Sequence, residues 1–495
     1  MSAAISPDDA AVGPPERLHP LYLLGGLRRS FRSLTGAYAL IAYFAASGRW
    51  TSAILVAAAI LVLGIGATFI RWLRFEYRVG RDEIRIDSGL LSRRHRSIPF
   101  DRIQDVDIVQ GPLARVLGLA EVKFDTGGGG GSRRHPEEGA LQAISLKRAE
   151  DIRTLVRTSR PGTRPAVVAT EERPPIYRLS FERLLLAGLF NFSFALFAGL
   201  LGLTQTVGRP LGIDPFRESF WRKLLAVSTP VEGFVLTHRA VAIAAGIVVL
   251  ILLGVVTGMI RTLLRDYGFR LDRTGSGLRR RRGLITKTDV TLPVARAQAA
   301  VIASGPLRDK FGWSALFLQS LAQEEKSRGN HEVAPLATAP EVNAILEELG
   351  WRPVARAIAW TPVSPAFVGS FAIGLLPLFA AGMVAASRYP IAGVSSLAIM
   401  LAAVGLRALA WRRLGYAIDG DRLLMRSGWL MRRVVVLPKA RIQTIEWSQN
   451  FVTRWFGTAT LQFGVAGGKA GTHLIPAIPS AAARALRDDL LSSLA

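Results

Sequence analysis

The chain runs to 495 residues, which predicts several domains, and half of it is hydrophobic with a mean hydropathy of +0.29, a balance that points to membrane spans. Its formal charge of +25 suits nucleic acid or an anionic membrane surface alike. There are no cysteines, which excludes disulfides, thiolate metal sites and cysteine nucleophiles.

In chain order, residues 1–17 are polar, mildly acidic and proline-containing, without the order of a cleaved signal peptide, and 1–33 read as a disordered or interfacial tail. Apolar segments then come in pairs. The first pair, Leu34–Ser47 and Ser52–Ile70, makes a hairpin over 34–73. The second, Leu184–Thr206 and Ala240–Ile260, occupies 181–262 with an outer loop at 207–239, and the third, Val363–Ala386 and Ile391–Leu409, occupies 361–411. A membrane helix needs about 20 mostly apolar residues, so six transmembrane helices in three hairpins are predicted, Leu34–Ser47 being the shortest. Arginines gather at one end of each pair: Arg28, Arg29 and Arg71 for the first, Arg183 and Arg261 for the second, Arg356 and Arg412 for the third. The positive-inside rule then predicts an inner-membrane protein with both termini, and everything between the pairs, in the cytoplasm.

Each pair leads into a segment of alternating strand character that ends in a helical pattern: 75–157, 266–350 and 414–495, with a linker at 158–180. The three segments are repeats. The stretches Gly89–Gly118, Gly283–Gly312 and Gly428–Gly457 align without a gap, and five positions match in all of them: Gly89, Gly283 and Gly428; Pro99, Pro293 and Pro438; Arg102, Arg296 and Arg441; Gln104, Gln298 and Gln443; Gly118, Gly312 and Gly457. Repeats of this kind define the fold problem. Two further stretches read as irregular, the glycine run from Gly127 to Arg134 and the proline-rich Arg157–Pro175.

The motif resembles the bacterial pleckstrin-homology (PH) domain of YdbS/YdbT-type membrane proteins, carried by Ile98-Pro99-Phe100-Asp101-Arg102-Ile103-Gln104 in the first repeat and Leu437-Pro438-Lys439-Ala440-Arg441-Ile442-Gln443 in the third. The second repeat departs from it, with Ala297 for isoleucine and Asp309 where the others have Arg115 and Arg454. The resemblance implies three PH-like β-barrel or sandwich domains, each capped by a C-terminal helix. It implies no catalytic activity. The resemblance names no protein partner and makes a smaller single-PH-domain membrane protein of the same family the candidate.

No residues form a recurring catalytic or metal-binding constellation. His19, His95, His135, His238, His331 and His473 are scattered and read as surface or loop residues. The glycine run lacks a following Lys-Ser/Thr, so it reads as a loop and not a phosphate cradle. Asp101, Asp105 and Asp107 have no equivalents in the other repeats and read as a solvated strand face. No catalytic residue, cofactor, metal or nucleic acid is therefore expected. The recurring basic positions around the first motif glycine are the candidate lipid-facing residues: Arg93, Arg94 and Arg96; Arg279, Arg280, Arg281 and Arg282; Arg432 and Arg433. The Pro-x-x-Arg-x-Gln element reads first as structural, with a peptide-accepting groove as the alternative. The function expected is a non-catalytic membrane-tethered scaffold or lipid- and protein-binding module in envelope homeostasis or export; the alternative is a component of a transport or export system.

Overall fold

A computed structural model describes residues 14–23, 41, 43–44, 47–88, 94–126, 140–159, 174–192, 237–275, 277–320, 330–355, 357–466 and 472–492. The first repeat comprises β1 (Glu16–Arg17), α1 (Trp50–Leu73), β2 (Glu76–Val79), β3 (Glu83–Ser88), β4 (Arg94–Pro99), β5 (Ile103–Gln110), α2 (Pro112–Val116), β6 (Leu119–Thr126), β7 (Ala140–Ser145) and α3 (Leu146–Thr158). The second comprises β8 (Tyr177–Arg178), α4 (Phe181–Phe190), α5 (Arg239–Asp266), β9 (Arg270–Thr274), β10 (Gly277–Arg282), β11 (Lys287–Pro293), β12 (Ala297–Ser304), α6 (Pro306–Lys310), β13 (Ser314–Ser320), β14 (Asn330–Ala337) and α7 (Ala339–Glu348). The third comprises β15 (Thr361–Pro362), α8 (Ala366–Ala386), α9 (Pro390–Trp411), β16 (Gly415–Asp419), β17 (Arg422–Ser427), β18 (Arg432–Pro438), β19 (Ile442–Ser448), α10 (Phe451–Trp455), β20 (Thr458–Val465), β21 (Thr472–Pro479) and α11 (Ser480–Ser492).

The predicted tail is corrected by this order. Residues Glu16 and Arg17 pair with Arg17↔Glu76 and Glu16↔Tyr77 on β2, and Leu18 is buried in the first core beside Ile84, Phe100 and Val122. Glu16 accepts hydrogen bonds from the Tyr77 hydroxyl at 2.8 Å and from Arg148 Nε at 3.0 Å. Burial, reinforced by that carboxylate, pushes the Tyr77 pKa up. The other repeats begin the same way, with β8 on β9 and β15 on β16, so Tyr177–Arg178 is a strand within the predicted linker. Each module therefore opens before its apolar segment, which is inserted between its first and second strands. The signal was present in Arg17-Leu18-His19, Arg178-Leu179-Ser180 and Pro362-Val363-Ser364, each a polar or proline position followed by an inward aliphatic. Trp72 and Trp411, at the ends of α1 and α9, donate their indole N–H to the carbonyls of Leu18 and Val363, pinning helix to strand alike in both repeats.

Four described helices are long and apolar enough to cross a membrane: Trp50–Leu73, Ala244–Asp266, Ala366–Ala386 and Pro390–Trp411. Helices α8 and α9 pack closely: a Cβ on Gly382 would fall 2.3 Å from that of Ser396. Of the predicted span Leu34–Ser47 only residues 41, 43, 44 and 47 are described. The predicted span Leu184–Thr206 is described only as far as Phe192, and α4 ends at Phe190. There Asn191 donates from Nδ2 to Thr262 Oγ1 at 3.1 Å, and its carbonyl approaches α5 where Gly258 leaves room. Of the predicted outer loop 207–239 only residues 237–239 are described, Arg239 opening α5, and the glycine run lies outside the described residues.

The chain forms two compact units, Met1–Arg173, Ser180–Phe269 and Arg281–Thr291 in one, Pro174–Leu179, Arg270–Arg280 and Leu292–Ala495 in the other. The second repeat is thus divided between them. In the first unit, β1-β2-β3-β4 form one sheet, while β7, β6, β5 and β11 are neighbours in another. In the second unit, one seven-stranded sheet runs β14-β13-β12-β18-β17-β16-β15, and β19-β20-β21 form a three-stranded one. Each module closes with an amphipathic helix whose inward residues recur at helical spacing: Ala149, Ile152 and Val156; Val342, Ile345 and Leu346; Ala483, Leu486 and Leu490. Fully burying an aliphatic side chain is worth about 1.5–3 kcal/mol, so these stripes fix each helix on its sheets.

Candidate membrane-facing surface

The repeat motif marks three corners of each module. The shared prolines end β4, β11 and β18, and their fixed φ starts a single 3₁₀ turn that closes on Arg102, Arg296 or Arg441. This turn carries the chain from one sheet to the next. The environments then diverge: Arg296 and Gln298 are buried, with Gln298 Nε2 donating to the Arg296 carbonyl at 3.0 Å, whereas Arg102 and Gln443 are exposed and Arg441 is half-buried. The Gln104 side chain and Gly89 lie outside the described residues. The last motif glycines, Gly118, Gly312 and Gly457, sit at φ of +67, +70 and +62 and turn a short helix into the next strand.

Those short helices are the feature the sequence reading missed. Helices α2, α6 and α10 and the residue that caps α6 hold large apolar side chains out of the core: Val116 is 85% exposed, Leu307 58%, the cap Phe311 67%, Phe451 80% and Trp455 74%. The signal was in the sequence, as an apolar residue directly or closely preceding the last motif glycine in Leu117, Phe311 and Phe456. A second apolar element lies at the first motif glycine. Gly283 at φ +114 and Gly428 at φ +79 open turns whose tips expose Ile285 in one case and Trp429, Leu430 and Met431 in the other.

Turn and short helix meet across successive repeats, the first of these meetings at the end of an apolar helix. The Gly283 amide donates to the Tyr267 carbonyl at 2.9 Å and the Leu284 amide to the Leu264 carbonyl at 3.0 Å, which sets this turn on the last turn of α5. Arg115 of α2 donates to the Leu284 carbonyl. The same juxtaposition recurs one repeat later, where Asp309 of α6 pairs with Arg432 and Met431 lies beside Gly305. The departure of Asp309 from the arginine of its counterparts is thereby explained: it faces an arginine where Arg115 faces a carbonyl. In the third repeat the Phe456 ring approaches to 3.1 Å of where a Cβ on Gly369 would stand, near the start of α8. Arg407 of α9 stacks on Phe367 and Phe371 at the same end, 3.5 and 5.0 Å from the ring centroids.

The nine candidate arginines separate into distinct groups. Arg93 and the Arg94 side chain lie outside the described residues, and Arg96 is half-buried on β4. Arg279–Arg282 form part of strand β10 and not a turn. Arg280 is a correction: it is 0% exposed, with Nη1 donating to the Glu332 carbonyl at 3.0 Å, so it cannot face lipid. Strand alternation is the reason, since Leu278 points inward and Arg280 follows it by two. Arg282 pairs with the buried Asp266 carboxylate at 3.1 Å, while Arg279 and Arg281 are half-buried. Arg433 is exposed and Arg432 half-buried on β18, both flanking the apolar tip at Trp429–Met431.

His19, His95, His238 and Asp101 are exposed, whereas the surface reading needs correction at His331, His473 and Asp107. His331 is buried on β14, and His473 lies on β21 with its Nε2 2.7 Å from Gln319 Oε1. Asp107 is tied to the neighbouring strand, its Oδ1 accepting from the Thr291 amide at 3.3 Å. Among the described residues no group of three or more His, Asp or Glu could hold a metal ion. Burial lowers the His473 pKa to about 4. The unfolded chain therefore binds a proton below pH 6.5 that the folded chain does not bind until about pH 4, and stability is lost as pH falls through that window. The expected loss at pH 5 is about 2 kcal/mol, read as thermal melting in detergent; His473→Gln should flatten this part of the profile.

A family model described as the bacterial PH domain matches residues 30–160, 225–350 and 367–494. The chain is also similar to transmembrane protein YdbT of Bacillus subtilis (strain 168), 26% identical over 443 residues covering 83% of each chain. No solved structure matches it.

Proposed function

The chain belongs to the bacterial PH-domain family, with three copies of the domain, and from that premise we propose that it is a non-catalytic, multi-pass protein of the cytoplasmic membrane that holds its modules on the anionic inner leaflet as a scaffold for a protein partner. The observation that carries this reading is the recurrence, in all three repeats, of an exposed apolar helix just before the last motif glycine. Apolar and aromatic side chains at the headgroup level, with arginines nearby, are the ordinary means of seating a domain on a bilayer. Phe456 beside the first turn of α8 supports that depth for α10. Each module also resumes within a few residues of an apolar helix, at β2 after α1, β9 after α5 and β16 after α9, so the tether is short and weak headgroup affinity suffices. Basic side chains near an anionic leaflet add about 1 kcal/mol each, a role that falls to the exposed Arg433.

The absence of native cysteine makes the test direct. Trp455→Cys, labelled with an environment-sensitive fluorophore in the full chain reconstituted into anionic vesicles, should shift to the blue and be quenched by brominated lipid. A label at the exposed Asp488 on α11 should do neither. Equal water exposure at both positions would remove the proposal.

A further inference from the structure

The modules are joined edge to edge, and the two joints follow one rule. At the first, β11 pairs antiparallel with β5 through Lys287↔Gln110, Thr288↔Val109 and Asp289↔Ile108. At the second, β18 pairs with β12 through Arg432↔Ser304, Arg433↔Ala303 and Val434↔Ile302. In the gap-free alignment of the repeats these are the same three pairs of positions. In each case the strand that ends in the motif proline joins the strand that follows the motif turn in the preceding repeat. The rule leaves one strand of each kind unused. β4 is the terminal strand of its sheet and β19 the terminal strand of its own, and among the described residues neither outer edge is paired.

We propose that these two edges are the halves of a third joint, made between copies: β19 of one chain pairs antiparallel with β4 of the next. The register of the existing joints fixes that of the new one. Val301 faces Val435 at the second joint, and their counterparts on the unused edges are Glu446 and Arg96, an opposite-charge pair. Trp447 then faces His95, and Ser448 faces Arg94. Glu446 is exposed, its carboxylate accepting from Gln462 Nε2 at 3.2 Å, and Arg96 is half-buried. Joining β19-β20-β21 to β1-β2-β3-β4 would build a seven-stranded sheet with the strand order of the one already present in the second unit. Charges on open edges discourage indiscriminate pairing, and complementary charges at one register admit the cognate edge. The interface is head-to-tail, so copies form a closed ring or an open row on the membrane and not a two-fold dimer. The proposal is independent of what the modules bind.

Because the chain has no cysteine, single introduced thiols report the joint. Two differently tagged full-length chains, one carrying Arg96→Cys and the other Glu446→Cys, are co-expressed and their membranes mildly oxidised. Directly opposed strand positions lie about 4.5–5.5 Å apart at Cα, within disulfide reach, so a product bearing both tags is expected. Chains that all carry the cysteine at position 96, or all at 446, should give none. Absence of the mixed product, or same-edge product in equal yield, overturns the proposal. A thiol-free measurement runs beside it. Two tagged copies of the unaltered chain should co-purify from mild detergent. Arg96→Glu should reduce recovery about fivefold, and Arg96→Glu combined with Glu446→Arg should restore it. Failure of the unaltered copies to co-purify also overturns it.

Discussion

Gly283→Ala and Gly428→Ala are each expected to destabilise the protein by about 3 kcal/mol or more, while the same change at Gly118, Gly312 or Gly457 costs only about 1 kcal/mol. The two classes of motif glycine differ in what surrounds them. At Gly283 and Gly428 the backbone has φ of +114 and +79, and an added Cβ would lie 1.9 Å from the Thr286 or Met431 carbonyl oxygen, inside any tolerable contact. The opposing atom is backbone, so relief requires reshaping the turn that presents the apolar tip. At the other three, φ is between +62 and +70 and nothing lies within 4 Å of the added atom, which leaves only the left-handed backbone penalty. Thermal melting of the five single variants in detergent checks the ranking. Equal losses at all five would mean that the carbonyl approach does not limit the turn.

This contrast shows where legibility stopped. The five matched positions and their spacing identify the repeat, and long apolar runs identify the four described apolar helices, because both are local signals that survive without knowledge of partners. Strand identity was also legible in β3, where Ile84 and Ile86 alternate with polar residues. What the reading lost depended on pairing at a distance. Arg280 looked like part of an exposed basic run because four arginines in a row suggest water, yet strand alternation carries it inward to the Glu332 carbonyl. Glu16 and Leu18 looked like a tail because the strand they join begins beyond an apolar segment, at Glu76. Asp309 read only as a departure from the motif because its partner, Arg432, belongs to the next repeat. Helix α10 went unnoticed because an aromatic before a glycine is more often core, and only exposure distinguishes Trp455 from a buried residue.

Arg153→Met is expected to cost about 3–5 kcal/mol, because it removes one partner from a nearly buried ion pair that also binds two strands. Arg153 projects from α3, its side chain 6% exposed, and donates from Nε to the Val106 carbonyl on β5 at 2.9 Å. Its two terminal nitrogens reach β11, Nη1 to Asp289 Oδ2 at 3.0 Å and Nη2 to the Asp289 carbonyl at 3.2 Å. One guanidinium thus ties the capping helix of the first repeat to its own sheet and to a strand of the second, and Arg281–Thr291 falls in the same compact unit as the first repeat. Asp289→Leu alone should cost less, about 2 kcal/mol, because Arg153 keeps two carbonyl acceptors. The double variant should lose less than the two single losses combined, by at least about 1 kcal/mol, since an apolar pair leaves no uncompensated charge. Melting of the four species closes the cycle. Simple additivity would show that Arg153 and Asp289 are not energetically coupled, and the strand ladder Lys287–Asp289 on Ile108–Gln110 would then hold the joint by itself.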